Sequence, residues 1–164
     1  MLGTDIRHTW KSDEVIPADF ADADIREIEQ VRTLVSRTQP DWAVLSAAYT
    51  DVDGSESNPD LAFAVNARGS ENVARVAKEA GARLIYVSTD YVFDGRSTRP
   101  YESYDPIHPL NVYGASKAAG EQAVQSHASN WCITRSSWLF GAGGLSFPEK
   151  ILNASETGAE LAVV

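Results

Sequence analysis

The sequence has little cysteine, little histidine and no long apolar run. Cys132 is the single cysteine, so no internal disulfide can form, which agrees with a reducing compartment. Its apolar neighbours predict a packed core thiol rather than a nucleophile. The histidines are scattered without the spacing of metal ligands, so we predict no metal site. No segment is apolar for the length of a membrane span and no secretory leader opens the chain, so we predict a cytoplasmic protein without a membrane partner.

Basic residues are also scarce. Lysine and arginine together number 14 against 23 aspartates and glutamates, which gives a formal net charge of −9. No basic cluster offers a footprint for nucleic acid, so we predict no nucleic-acid partner. An acidic protein can still bind an anionic nucleotide, because backbone N–H groups and helix N-termini do that work.

The apolar residues alternate between strand-like and helix-like patterns along the chain. Apolar runs predict strands at residues 14–18, 42–47, 83–88, 131–136 and 161–164. Helical spacing predicts helices at residues 25–37, 58–80, 111–127 and 147–156. Strands that alternate with helices are typical of an α/β protein with a parallel sheet covered by helices on both faces.

Three polar segments follow predicted strands: Asp22–Asp24, Ala48–Thr50 and Ser88–Asp90. In open α/β sheets, ligands bind at the carboxyl ends of the strands. Solvated loops are the plain alternative, but three such segments at one edge favour a binding site there.

The most informative segment is Tyr113-Gly-Ala-Ser-Lys117. Residues four apart share one face of a helix. A cation that close favours the phenolate, so the spacing predicts that Lys117 lowers the pKa of Tyr113 toward neutral pH and makes it a proton donor or acceptor. The Thr89 hydroxyl, which precedes this helix, could hold a substrate carbonyl. With a hydride carrier opposite, these parts suit a reversible ketone–alcohol reaction, whereas the plain alternative is an ordinary surface pair.

Four stretches carry a family resemblance: Ala47–Asp53, Ser88–Gly95, Pro109–Lys117 and Arg135–Trp138. They resemble the extended short-chain dehydrogenase/reductases and, within them, the dTDP-4-dehydrorhamnose reductase family. The resemblance runs over essentially the whole chain and implies a Rossmann-like doubly wound parallel sheet. It implies an NADH- or NADPH-dependent reduction of the C4 keto group of dTDP-4-dehydro-L-rhamnose to dTDP-L-rhamnose. A nucleotide sugar is then the expected partner, and a homo-oligomer stays open.

The resemblance also implies roles for the catalytic and substrate-binding residues. Tyr113 donates the proton, Thr89 hydrogen-bonds the substrate carbonyl, and Lys117 lowers the pKa of Tyr113 and binds the nicotinamide ribose. Asp90 contacts the sugar beside Thr89. Trp138 lines the substrate pocket as a flat aromatic wall, with a core tryptophan as the alternative.

The same resemblance assigns the cofactor-binding residues. They are Met1, Leu2, Asp24, Ile25, Ala48, Tyr49, Thr50, Val87, Tyr113 and Lys117. Asp19 could accept a hydrogen bond from the adenosine ribose, which would repel a 2′-phosphate and favour NADH. Asn66 and Asn72 are expected to be structural rather than catalytic.

The chain departs from the family pattern at both ends. The family opens with a strand and a glycine-rich phosphate loop, and Met1-Leu2-Gly3 matches only the end of that loop. We therefore expect residues 1–164 to be an incomplete NAD(P)-binding Rossmann domain that lacks its first strand and most of the C-terminal substrate domain, and to bind dinucleotide weakly. Two other functions stay open: a non-catalytic regulatory subunit of the same fold, and another nucleotide-sugar reductase or epimerase.

Overall fold

The structure is a computed structural model that describes residues 2–141 and 146–156. The described chain divides into two compact units. The larger unit is Ala18–Ser136, and the smaller is formed by residues up to Pro17 and from Ser137 onward. The smaller unit contains helix α1 (Leu2–Thr9) and helix α7 (Phe147–Glu156).

The larger unit is built on a three-stranded parallel sheet. Its strands are β1 (Trp42–Leu45), β2 (Arg83–Thr89) and β3 (Trp131–Ser136), in the order β1-β2-β3. The register pairs Trp42 with Arg83 at one side and Thr89 with Ser136 at the other. Parallel neighbours need helical crossovers, and the chain supplies them. The predicted parallel α/β sheet with flanking helices is confirmed.

One helix of the larger unit precedes β1 in sequence, and the others lie between the strands. The helices are α2 (Ile28–Thr38), α3 (Val52–Ser57), α4 (Pro59–Phe63), α5 (Ser70–Glu79) and α6 (Val112–His127). A π-helical segment at Ala64–Gly69 joins α4 to α5, and a 3₁₀ turn at Asp90–Val92 follows β2. Their apolar faces bury a core against the sheet: Val31, Leu45, Val73, Ala74, Val76, Ala77, Ala82, Leu84, Tyr86 and Val124.

Most predicted elements are confirmed, with shifted ends. Strand β3 and helix α7 have the predicted bounds, and α6 begins one residue later than predicted because Asn111 is its cap. The predicted helix at 25–37 begins at Ile28, and the predicted long helix at 58–80 contains the π-helical segment. The predicted strand at 161–164 lies outside the described residues.

Three predictions about local structure are wrong. Residues 14–18 are not a strand, since they pair with no other strand in the described chain, Ile16 is about half exposed, and Pro17 lacks an N–H donor. Cys132 is exposed rather than buried, because β3 is an edge strand of the described sheet. Leu2 and Gly3 lie in helix α1 rather than in a loop.

Candidate active site

The start of helix α6 is held against the 3₁₀ turn that follows β2. Asn111 caps the helix, and its side-chain oxygen accepts from the Gly114 N–H at 2.7 Å. A Cβ on Gly114 would lie 2.2 Å from the carbonyl oxygen of Tyr91, which no side chain tolerates. Glycine at this position therefore permits the close approach that brings Tyr113 to the end of β2.

The phenol of Tyr113 lies among Thr89, Asp90 and Tyr91. The Tyr113 and Tyr91 rings meet edge to face, with 5.7 Å between their centroids. Thr89 is buried, and its hydroxyl donates to Asp90 Oδ1 at 3.1 Å and accepts from the Tyr91 N–H at 3.2 Å. Burial raises the pKa of Tyr113 above its ordinary value, a hydrogen bond with the Thr89 hydroxyl acts in the opposite direction, and the Asp90 carboxylate raises it further. Tyr113 therefore carries its proton at neutral pH and can donate it.

Lys117 lies one turn after Tyr113 and is almost fully buried. It is 2% exposed, its Nζ donates to the Val87 carbonyl at 2.7 Å, and the same atom lies 4.2 Å from the centroid of the Tyr86 ring. Burial lowers the pKa of Lys117 to about 8, and the Glu121 carboxylate acts in the opposite direction.

The predicted effect of Lys117 on the pKa of Tyr113 is wrong in this structure. The pKa of Tyr113 is raised rather than lowered, because burial of the phenol outweighs the groups that lower it. The physical reason is that the ammonium is directed at the Val87 carbonyl and the Tyr86 ring, while the phenol itself is desolvated.

The segment Ala48–Thr50 follows β1 and is pinned by Asn66. The Asn66 side chain accepts from the Tyr49 N–H at 2.8 Å and donates to the Tyr49 carbonyl at 3.0 Å. It also donates to Ser116 Oγ in α6 at 2.9 Å. Asn66 lies in the π-helical segment, a feature that often occurs at functional sites. One buried amide thus fixes this segment relative to the helix that carries Tyr113 and Lys117.

The segment at Asp24–Arg26 is held in a similar way by Asn72. The Asn72 side chain donates to the carbonyls of Ile25 and Arg26 at 2.9 and 3.0 Å. The Asp24 carboxylate pairs with the Arg26 guanidinium at 2.6 Å, and this hydrogen bonding lowers the pKa of Asp24. The positions of Asn66 and Asn72 agree with the structural role expected of them.

Asp19 forms a tight turn before this segment. Its carboxylate accepts from the Ala21 N–H at 2.8 Å, and its own N–H donates to the Asp22 carboxylate at 3.0 Å. The segment does not follow a strand, contrary to the prediction, because residues 14–18 are not one.

Sequence reasoning missed a buried ion pair behind these residues. Glu121 is 1% exposed, and its carboxylate accepts from Arg135 at 2.7 and 2.9 Å and from Ser88 Oγ at 2.5 Å. A signal was present, because Tyr113, Lys117 and Glu121 recur at four-residue spacing on one helix face.

Two predicted site residues belong to the smaller unit. Leu2 is the first residue of α1, and Met1 lies outside the described residues. Trp138 is 69% exposed, so it is not a core tryptophan, and it packs edge to face on Phe147 with 4.8 Å between ring centroids. Its φ of 52° is uncommon for a residue other than glycine.

The donor set in the larger unit suits a ribose and a carbonyl. A lysine ammonium has three N–H donors, of which the Val87 carbonyl takes one, so Lys117 keeps donors for ribose hydroxyls. The hydroxyls of Thr89 and Tyr113 lie together and can both face one carbonyl oxygen. Over residues 2–141 and 146–156, no three His, Cys, Asp or Glu side chains converge as metal ligands would, and no helix is long and apolar enough to span a bilayer.

Comparison with known proteins finds a matching family model and similar sequences. The family model described as RmlD substrate binding domain matches residues 1–164. The spore coat polysaccharide biosynthesis protein SpsK of Bacillus subtilis is 39% identical over 151 residues, which cover 92% of this chain and 53% of that protein. The dTDP-4-dehydrorhamnose reductase of Escherichia coli is 40% identical over 141 residues, which cover 86% of this chain and 47% of that protein.

A solved structure is similar over nearly the whole chain. The dTDP-4-dehydrorhamnose reductase of Bacillus anthracis, in complex with NADP, superposes with a TM-score of 0.92 and 37% sequence identity. The match covers 95% of this chain and 56% of that one. The chain therefore spans about half the length of the relatives that it matches.

Proposed function

The chain belongs to the RmlD substrate binding domain family, and on that premise we propose that the protein reduces dTDP-4-dehydro-L-rhamnose to dTDP-L-rhamnose with NADH or NADPH. The observation that carries the proposal is the convergence of the Thr89 and Tyr113 hydroxyls at the end of β2, one helical turn from the buried ammonium of Lys117. The names of the relatives support the choice of substrate.

Tyr113 is the proton donor in this proposal. When bound, the reduced nicotinamide supplies the hydride to C4 of the sugar. The C4 oxygen gains negative charge as its double bond breaks, and the Tyr113 hydroxyl transfers its proton to that oxygen. Because burial raises the pKa of Tyr113, the phenol holds this proton at neutral pH until the substrate oxygen becomes basic. Thr89 orients the carbonyl through its own hydroxyl, which lies beside the phenol.

Lys117 has two roles in the proposal. Its free N–H donors bind the ribose hydroxyls of the cofactor, and its positive charge stabilises the phenolate that Tyr113 becomes after the proton leaves. The second role requires the charged ammonium, and the first is stronger with it. The pKa of Lys117 is about 8, so reduction should weaken as the pH rises through that value.

The remaining residues complete the proposed site. Within the larger unit, Asp90 contacts the sugar, and the cofactor lies along Asp24, Ile25, Ala48, Tyr49, Thr50 and Val87. The roles of Met1, Leu2 and Trp138 stay predictions from the resemblance. Residues 1–164 are then an incomplete NAD(P)-binding Rossmann domain with the start of the substrate-binding part. A cytoplasmic location and a homo-oligomer remain predictions.

Tyr113→Phe tests the proposal. The change removes the transferable proton and keeps the ring, so kcat for NAD(P)H oxidation with the 4-keto sugar nucleotide should fall by about 10²- to 10⁴-fold. The matched control is Tyr91→Phe, because the Tyr91 ring packs on that of Tyr113 and is partly exposed. The assay uses the intact product of the gene.

Two results would contradict the proposal. A Tyr113→Phe protein that keeps more than about a tenth of the wild-type rate would exclude Tyr113 as proton donor. A folded wild-type protein that binds the sugar nucleotide without turnover would indicate the non-catalytic subunit instead.

A further inference from the structure

We infer that Glu121 is a positioning residue of the reduction: its buried carboxylate holds the strand end that carries Thr89 against the helix that carries Tyr113 and Lys117. The inference rests on the proposed function. Glu121 touches none of the proposed reacting atoms, so it acts through the residues that it holds.

The carboxylate joins three elements at one point. Glu121 comes from α6, Arg135 from β3 and Ser88 from β2. Arg135 Nε and one terminal nitrogen donate to the two carboxylate oxygens at 2.9 and 2.7 Å, and Ser88 Oγ donates to Oε1 at 2.5 Å. Ser88 and Arg135 are register partners in the sheet. Glu121 therefore holds both members of this cross-strand pair, and Thr89 is the residue directly after Ser88.

Arg135 extends the same network to the loop after the 3₁₀ turn. Its guanidinium lies 5.0 Å from the centroid of the Phe93 ring and donates to the Ser103 carbonyl at 3.1 Å. The guanidinium, which comes from strand β3, therefore contacts helix α6 and both ends of the 93–103 segment. A shift of this side chain would move the segment that begins directly after the 3₁₀ turn of Asp90.

A purely structural role explains this network poorly. Taking a carboxylate and a guanidinium out of water is costly, and apolar residues of similar volume often replace a buried ion pair without loss of stability. Apolar residues cannot supply directional hydrogen bonds. These bonds fix the Ser88 side chain and thereby the orientation of the adjacent Thr89. They also cannot replace the negative charge four residues from Lys117, which opposes the effect of burial on the Lys117 ammonium.

Among the groups around Lys117, Glu121 is the carboxylate that raises the pKa of the ammonium. Glu121 acts on it from α6, Tyr86 faces it from β2, Arg135 pairs with Glu121 from β3, and Asp90 acts on Tyr113 from the 3₁₀ turn. Glu56 of α3 caps the start of α6. Three further charged residues of the packed helices line a surface cavity with Ala119 and Ala123: Asp60, Arg68 and Glu71.

The test replaces the ion pair by apolar side chains. Glu121→Met with Arg135→Leu keeps the volume and removes the network, in the intact product of the gene. The matched control is Glu79→Met with Arg32→Leu, which removes a partly exposed Arg–Glu pair between α2 and α5. A milder second variant is Ser88→Ala, which deletes one hydroxyl. Three quantities are measured: the thermal unfolding midpoint, kcat and KM against pH, and the titration midpoint of the Lys117 amine by NMR.

The inference expects a folded double variant with altered function. Its kcat should fall by at least about tenfold, and its Lys117 titration midpoint and the alkaline limb of its pH profile should fall by at least about half a pH unit. The control pair should leave all of these at wild-type values. Ser88→Ala should lower kcat by at least about threefold, since a hydrogen bond to a charged group is lost.

The possible outcomes either support or overturn the role of Glu121. A folded double variant with wild-type kcat and Lys117 midpoint overturns the inference, because the pair is then replaceable by packing alone. Where the double variant does not fold, a wild-type kcat in Ser88→Ala overturns it, and a lowered kcat supports it. A wild-type protein that reduces no sugar overturns the proposed function, whereas an unchanged Lys117 midpoint in the double variant overturns this inference independently.

Discussion

Lys117→Met should stabilise the protein at neutral pH and remove much of the rise in its stability with pH. Lys117 is 2% exposed, and burial lowers its pKa from 10.5 to about 8. The unfolded chain exposes the amine, which then titrates near its ordinary value. Between about pH 8 and 10.5 the folded protein therefore binds fewer protons than the unfolded chain.

The size of the effect follows from these two pKa values. Stability rises with pH wherever the unfolded state binds more protons than the folded state. One pKa unit corresponds to about 1.4 kcal/mol, so keeping Lys117 charged costs the folded state roughly 3 kcal/mol at neutral pH. About 2 kcal/mol of this cost should disappear between about pH 7.5 and 9.5. Methionine keeps the packing but loses the hydrogen bond to the Val87 carbonyl, so we expect a net gain of about 1–2 kcal/mol at neutral pH.

The measurement is urea unfolding at several pH values between about 7.5 and 9.5, for the wild type and the variant. The window ends there because burial raises the pKa values of Tyr86 and Tyr113, and these phenols lower stability as the pH rises further. Lys78→Met is the matched control, since it removes a lysine from the exposed surface of α5.

Two results would refute this reasoning. One is a wild-type free energy of unfolding that does not rise across the window. The other is a rise of equal size in Lys117→Met, which would show that a different group causes it. If the reasoning holds, the same variant should lose reductase activity while gaining stability, because the proposed reaction needs the buried charge.

Two further substitutions test the approach of α6 and the cofactor preference. Gly114→Ala places a Cβ 2.2 Å from the Tyr91 carbonyl oxygen, so urea unfolding should show a loss of about 1–3 kcal/mol and steady-state kinetics a lower kcat. A folded Gly114→Ala protein with wild-type kcat would contradict the link between this approach and catalysis. Asp19→Ala should raise the Kd for NADH relative to NADPH in calorimetry, because a carboxylate beside the ribose repels a 2′-phosphate. Asp19→Asn keeps the acceptor for the Ala21 N–H. If the ratio of the Kd values for NADH and NADPH is unchanged in both variants, Asp19 only stabilises the turn and does not select the cofactor.

The sheet was predictable from sequence because each strand contains a short apolar run. The run is Trp42–Leu45 in β1, residues 84–87 in β2 and residues 131–133 in β3, and such runs are expected of strands in a parallel sheet with flanking helices. Residues 14–18 carry a similar apolar pattern, but a pattern alone does not supply a hydrogen-bonding partner. The sequence therefore predicted the three paired strands and overpredicted this one.

The placement of the site was predictable from motifs, but the contacts that hold it were not. The spacing of Tyr113 and Lys117 set them on one face of α6, and Thr89 was expected at the end of a neighbouring strand. The anchoring of Tyr49 by Asn66 depends on a side chain from a distant segment that meets it only in the folded chain. The pairing of Glu121 with Arg135 is equally a product of tertiary packing.

The error about Tyr113 shows which physical effect decides the chemistry of this site. A nearby lysine lowers the pKa of a tyrosine below its ordinary value only where the attraction between the ammonium and the phenolate outweighs the desolvation of the phenol. Here both side chains are desolvated, so the pKa of Tyr113 rises and that of Lys117 falls. Before the reaction, Tyr113 is therefore a neutral phenol, and Lys117 is an ammonium that loses its proton at a lower pH than an ordinary lysine. That state suits proton donation to the substrate carbonyl as it is reduced, and the charge of Lys117 stabilises the phenolate that remains.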